Sequence, residues 1–329
     1  MGKFALRMFS MIFALILFFQ NEILGQMISL QQMGNGPKSS VFIQDIKEGK
    51  VLGSGTAFQV VYSTSPSGDE YRFLVTALHV IRGADSIQVL FNRNLNMPDR
   101  LAGKPEIVSL PVPLTLGNTS LWQPAPDGVD IAVVFLSRES QQEVETRPQR
   151  GAQYMEETTT SPASNIIWID NPAVPIPADI AMSLPDEDLA DIYYSGYPLG
   201  LHGQYRIQAF THRCTVALPS TKGLPFSDIS PYDFLVDCAP FEGDSGSPVF
   251  IRSVFFRGNG TLAEIKTQLA GVMSGYVSWN QISKATSETL DTEIDLEVHK
   301  KNMLGLGYVA PARYILLAIQ NFLSRVAFK

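Results

Sequence analysis

Phe241-Glu242-Gly243-Asp244-Ser245-Gly246-Ser247-Pro248 sets a serine at the centre of a tight turn, with one glycine two residues before it and another directly after. The apolar run Val249-Phe250-Ile251 follows. A serine hydroxyl is a poor nucleophile at neutral pH, so a reactive one must be exposed on a strained turn, face a general base and lie beside N–H donors aimed at a developing oxyanion. Gly243 and Gly246 suit that need, because glycine takes positive φ and close backbone approach without steric cost. A lone Gly-x-Ser-x-Gly is a weak signal, since glycine-serine turns are common, and it needs partners elsewhere in the chain.

Two stretches upstream supply them. Phe73-Leu74-Val75-Thr76-Ala77-Leu78-His79-Val80 is a hydrophobic strand running into a histidine. Asp127-Gly128-Val129-Asp130-Ile131-Ala132-Val133-Val134-Phe135-Leu136 has an aspartate opening a second buried strand. Together the three stretches resemble the chymotrypsin-like (trypsin-fold) serine peptidases. Thr-Ala-x-His matches their histidine motif, Asp-Ile-Ala-Val their aspartate motif and Gly-Asp-Ser-Gly-Ser-Pro their serine motif. The order His, Asp, Ser separates this family from the subtilisin and α/β-hydrolase orders.

The resemblance implies an all-β fold of two six-stranded antiparallel Greek-key barrels, with a C-terminal helix and polar insertions. It also implies the roles. Ser245 attacks a carbonyl carbon, His79 takes and returns the proton, and Asp130 holds the imidazole in the right tautomer. The N–H groups of Gly243 and Ser245 form the oxyanion hole. Asp130 directly precedes Ile-Ala-Val as the motif requires, which leaves Asp127 as a turn residue. The floor of the primary pocket falls on Ala239 and Pro240, and its wall on Ser274, Gly275 and Tyr276. Ala239 carries no charge to attract Lys or Arg, and Met273 stands where glutamate-preferring relatives have a histidine, so a small or apolar preference is expected. Asp244 matches the aspartate that pairs with a freed N-terminal amine in zymogen-type relatives, although the chain lacks an Ile-Val-Gly-Gly start. The family needs no cofactor and no metal, and no third ligand joins His202 and His212 at metal-binding spacing.

Composition fits a packed enzyme. The chain has 329 residues, 45% hydrophobic and 17% charged, with 19 Phe and 11 Tyr. A net charge of −7 argues against nucleic-acid and anionic-membrane partners, which call for basic patches. The expected partner is a protein or peptide substrate, and nothing in the sequence assigns an oligomeric state.

Residues 1–25 read as a signal peptide. Lys3 and Arg7 precede the apolar stretch Met8 to Phe19, which Gln20, Asn21 and Glu22 end before the ~20 residues that a membrane span needs. An uncleaved anchor is the alternative. Export to a secreted or periplasmic location, with no membrane attachment after cleavage, gives meaning to the cysteines. Cys214 and Cys238 are the only two, and exported chains commonly pair such residues, the other reading being two buried free thiols. Cys238 lies seven residues before Ser245, unlike the pattern of secreted animal trypsins, so the nearer resemblance is to bacterial-type, disulfide-poor members without a peptide-binding PDZ domain.

After a lead-in at 26–40, the peptidase unit is expected over 41–329: a first barrel at about 41–136, a connection enlarged by an insertion at 137–190, and a second barrel with its helix at 191–329. Strands are expected at 41–43, 53–61, 71–76, 86–91, 130–136, 191–194, 205–217, 233–238 and 268–276. A second insertion covers 277–305, with a charged, partly helical run at 283–301. Ile315, Leu316, Ile319, Phe322, Leu323 and Val326 recur at helical spacing. The function expected is an exported serine endopeptidase working through an acyl-enzyme. A peptidase-like binding scaffold with weak or lost catalysis is the alternative, and an acyl hydrolase for non-peptide esters is a third.

Overall fold

The computed structural model describes residues 38–63, 69–92, 107–139, 153–157, 165–169, 173–176, 191–203, 206–221, 229–256, 262–278 and 303–326. The expected signal peptide, most of the lead-in and the charged run 283–301 lie outside the described residues.

Seven antiparallel strands form a continuous path through the first half. In chain order they are β1 (Ser40–Lys47), β2 (Lys50–Ser63), β3 (Glu70–Thr76), β4 (Ser86–Asn92), β5 (Ile107–Pro113), β8 (Trp122–Pro124) and β9 (Ala132–Glu139), and a short ladder of β6 (Thr115–Leu116) and β7 (Thr119–Ser120) lies between β5 and β8. They pair in the order β5-β4-β1-β2-β3-β9-β8. Alternation drives this: in β5 Val108, Leu110 and Val112 are buried while Ser109, Pro111 and Pro113 face out. The inward side chains, among them Val41, Leu74, Ile87, Phe91 and Val134, pack into one core. The two ends of the path meet where the Leu121 N–H donates to the Leu114 carbonyl at 2.9 Å, so the sheet rolls around that core.

In the second half the six strands β13 (Asp191–Gly196), β14 (Phe210–Leu218), β15 (Phe234–Asp237), β16 (Pro248–Phe256), β17 (Leu262–Ser278) and β18 (Met303–Pro311) close completely, in the order β13-β14-β15-β18-β17-β16. Closure leaves no unpaired sheet edge. Ile192, Tyr194, Phe234, Val236, Val249 and Val309 fill its interior. Cys214 and Cys238 are disulfide-bonded with Cα atoms 5.4 Å apart, joining β14 to the segment after β15. This is the chymotrypsin-like architecture of two packed β units.

Three features differ from expectation. The segment 137–190 carries structure of its own: β10 (Gln153–Glu157) pairs with β11 (Asn165–Ile169), and β12 (Val174–Pro175) joins β2 in parallel, aligning Val174 with Val60. The strand expected from residue 205 begins at Phe210. The C-terminal helix, Arg313–Arg325, follows the second barrel in the chain but lays its apolar stripe on the first half. There Phe322 meets Phe73 edge-on at 5.5 Å and stacks on Phe135 at 5.5 Å. The outward residues Phe58 and Phe73 offer an apolar face that only another element can cover, and the helix supplies it.

Candidate active site

The cleft between the two halves has a volume of about 830 Å³ and is lined by His79, Asp130 and Ser245 together. β3 ends at Thr76, and the chain turns through Ala77 into a single helical turn, Leu78–Ile81, that carries His79. Asp127 and Gly128, at φ 60° and 71°, make the tight turn that delivers Asp130 just ahead of β9. One carboxylate then holds one residue twice. The His79 backbone N–H donates to Asp130 Oδ1 at 2.9 Å, and its ring Nδ1 bonds Asp130 Oδ2 at 2.7 Å. With Nδ1 committed, Nε2 is the nitrogen left to act as base. The His79 side chain is 48% exposed, so its ring is open to the cleft.

The turn that presents Ser245 is tied on both sides. The Asp244 N–H donates to the Phe241 carbonyl at 3.0 Å, and the Gly246 N–H to the Met273 carbonyl at 2.7 Å. From the first half, Thr56 contributes its N–H to the Ser245 carbonyl at 2.9 Å and its hydroxyl to the Gly243 carbonyl at 2.8 Å. Gly243 and Gly246 adopt φ 95° and 91°, and a side chain at 246 would run into the Thr56 carbonyl. Among the described residues the N–H groups of Gly243 and Ser245 have no hydrogen-bond partner, so both remain available as donors. The Ser245 hydroxyl donates to the Ser274 carbonyl at 3.3 Å rather than to His79.

Asp244 is fully buried behind this turn, where its Oδ2 accepts the Phe241 N–H at 2.9 Å and the Tyr194 hydroxyl at 3.3 Å. Burial pushes the Asp244 carboxyl above its usual range, while the Phe241 N–H, nearby His212 and Tyr194 pull the other way. His212 stacks on Tyr194 with ring centroids 4.6 Å apart, which makes it part of this structural cluster.

Compared by sequence, the chain matches no protein-family profile and no curated protein. Compared by structure, it is similar to solved serine proteases. The inactive form of Rv3671c from M. tuberculosis H37Rv, a serine-to-alanine mutant, shares 15% identity at a TM-score of 0.39, with 91% of this chain and 93% of that chain covered. The serine endoprotease from Yersinia pestis shares 12% identity at a TM-score of 0.43, with 90% and 66% covered. The active form of the Rv3671c protease shares 16% at a TM-score of 0.36, with 90% and 84% covered. At identities of 12% to 16% the assignment rests on this chain's own strand pairing. The fold is that of the trypsin-like serine peptidases.

Of the residues expected to form the trypsin-like specificity pocket, Pro240, Ser274, Gly275 and Tyr276 line the cleft and Ala239 does not. The Pro240 ring packs closely over Gly307, where a side chain would crowd it. Asp233 is a further cleft residue that no motif singled out. It is 1% exposed, and burial, aided by the negative charge of Asp130 and opposed by a backbone hydrogen bond from Ser230, pushes its carboxyl up to about 8. An aspartate ahead of an apolar strand, Asp233-Phe234-Leu235-Val236, was the only local signal. It repeats the pattern of Asp130.

Proposed function

We propose that this chain is an exported serine endopeptidase, active as one unit over residues 41–329 after loss of residues 1–25. The observation that carries the reading is the 2.7 Å hydrogen bond between His79 Nδ1 and Asp130 Oδ2, in the same cleft as Ser245, whose own N–H and that of Gly243 have no partner among the described residues. The Ser245 hydroxyl leaves the Ser274 carbonyl, turns to His79 Nε2 and attacks the substrate carbonyl carbon as its proton passes to the imidazole. The oxyanion takes hydrogen bonds from the N–H groups of Gly243 and Ser245, each worth about 3–4 kcal/mol in such sites. Collapse breaks the C–N bond, and the imidazolium returns the proton to the departing amine. Water, deprotonated by His79, then cleaves the acyl-enzyme and releases the acid. Neither Ala239 nor Pro240 offers charge to the residue before the cleaved bond, which supports a small or apolar preference there. Dominant cleavage after Arg would overturn that preference.

A fluorophosphonate tests the reaction directly. Labelling at Ser245 that is lost in Ser245→Ala supports the peptidase reading, whereas a folded protein that resists labelling overturns it. One observation favours a second reading: the Ser245 hydroxyl is committed to Ser274, as it would be in a binding scaffold that has given up catalysis. Substrate-like peptides that bind without turnover or labelling would support that reading.

A further inference from the structure

Second-half residues that line the cleft outside the expected primary pocket include Ser230, Asp233, Ser278 and Tyr308. Arg82, which also lines the cleft, comes from the first half. Asp233 is held by its backbone at both ends: its N–H donates to the Ser230 carbonyl at 3.0 Å, and its carbonyl accepts the Thr221 N–H at 2.9 Å. Its side chain is not satisfied in the same way. Among the described residues Oδ1 has no hydrogen-bond partner, although the residue is only 1% exposed. A desolvated carboxyl oxygen without a donor is costly, and the cost is relieved by a donor arriving from outside.

We propose that Asp233, with the hydroxyl of Ser230, forms a subsite that takes a cationic side chain of the substrate, at a position other than the residue directly before the cleaved bond. This rests on the peptidase reading. The distinct position rests on its neighbour: the charge acting on Asp233 is that of Asp130, the carboxylate that holds His79 Nδ1, whereas the residues expected to receive the side chain before the cleaved bond are Pro240, Ser274, Gly275 and Tyr276. An ammonium or guanidinium supplies both the missing donor and the compensating charge, which a neutral side chain cannot do.

The charge state of the empty site makes the proposal measurable. Asp130 acts on Asp233 directly, and the other titratable or charged residues lining the same cleft are Asp45, His79, Arg82, Glu242, Tyr276 and Tyr308. Burial and Asp130 hold the carboxyl up at about 8, so it is mostly neutral at pH 7. A cation seated beside it lowers that value, and the proton leaves to solvent. Cation binding is therefore coupled to proton release, and affinity rises as pH approaches 8.

The test uses fluorogenic peptides carrying either lysine or the uncharged, similarly long norleucine at each position around the cleaved bond. With the mature protein, lysine at one position away from the cleaved residue should raise kcat/KM about 10–100-fold over norleucine, the range for one charge-assisted hydrogen bond. In Asp233→Asn the lysine-to-norleucine ratio should fall to near one. Equal rates for the two at every position, or a ratio unchanged in Asp233→Asn, overturn the subsite. A second arm does not depend on turnover or on that variant folding. Calorimetry of the same peptides with Ser245→Ala, in buffers of different ionisation enthalpy, should show proton release with the lysine peptide and none with norleucine. Equal binding of the two peptides, or binding of neither, overturns the proposal. Failure of fluorophosphonate labelling, by contrast, overturns the peptidase reading and leaves the calorimetric result standing.

Discussion

Thr56 and Gly243, 187 residues apart in the chain, are joined by a buried 2.8 Å hydrogen bond from the threonine hydroxyl to the glycine carbonyl. The same hydroxyl accepts the Tyr197 N–H at 3.1 Å. One side chain of the first half thus holds the backbone that presents the Gly243 and Ser245 N–H groups in the second. Thr56→Val keeps the shape and removes the hydroxyl, leaving a buried carbonyl and a buried N–H unpaired. The expected cost is about 1–3 kcal/mol in urea unfolding. Fluorophosphonate labelling should slow by about tenfold or more as the donors lose register. Unchanged labelling would show that the Gly243 peptide is held by other contacts.

Asp130 accepts both the backbone N–H and the ring nitrogen of His79. Asp130→Asn preserves the shape but can offer its amide N–H to Nδ1, which selects the wrong imidazole tautomer. The expected loss is about 10⁴-fold in kcat with little change in fold. A loss under tenfold, with native circular dichroism, would count against Asp130 as the orienting carboxylate.

Asp233 should make the protein less stable as pH rises. Its folded value, raised to about 8, lies above its unfolded value, so between about pH 4 and pH 8 the folded state holds more protons than the unfolded state and stability falls with pH. Asp233→Asn removes this slope. The variant should therefore gain on the parent chain, by on the order of a few kcal/mol, between pH 5 and pH 8 in parallel denaturant titrations. Parallel pH curves for the two proteins would contradict the assignment.

The Cys214–Cys238 bond spans 24 residues and ties β14 to the segment after β15. Cys214→Ala with Cys238→Ala should lower stability by about 3 kcal/mol, from the restored freedom of the unfolded loop. Reducing agent should lower the stability of the parent chain by a similar amount and leave the double variant unaffected.

Much of the candidate site is legible in local sequence because its parts are local. The turn at Gly243–Gly246 needs positive φ within four residues, and His79 and Asp130 each sit at the end of a strand whose apolar pattern declares itself. Strands such as β5 alternate visibly, and the helix at Arg313–Arg325 shows its spacing. What escaped is relational. Neither Thr56, in an ordinary Gly-Ser-Gly-Thr stretch of β2, nor Tyr194, inside an apolar strand, carries a mark of its hydrogen bond to the Ser245 turn. That Pro240 and not Ala239 lines the cleft is likewise unmarked in the sequence.

By itself the sequence determined where chain reversals occur, which strands bury a face, and that a histidine, an aspartate and a serine follow one another in the order of a known reaction. Those features depend on backbone conformation and side-chain period, which are properties of a few consecutive residues. Only the tertiary structure decided that the C-terminal helix covers the first half instead of the barrel it follows, that Asp244 is met by Tyr194, and that Asp233 lines the cleft under the charge of Asp130, with its Oδ1 unpaired among the described residues. Each of these results from burial and charge acting between segments far apart in the chain. Their energies depend on what surrounds a group after folding, and no stretch of neighbouring residues encodes that.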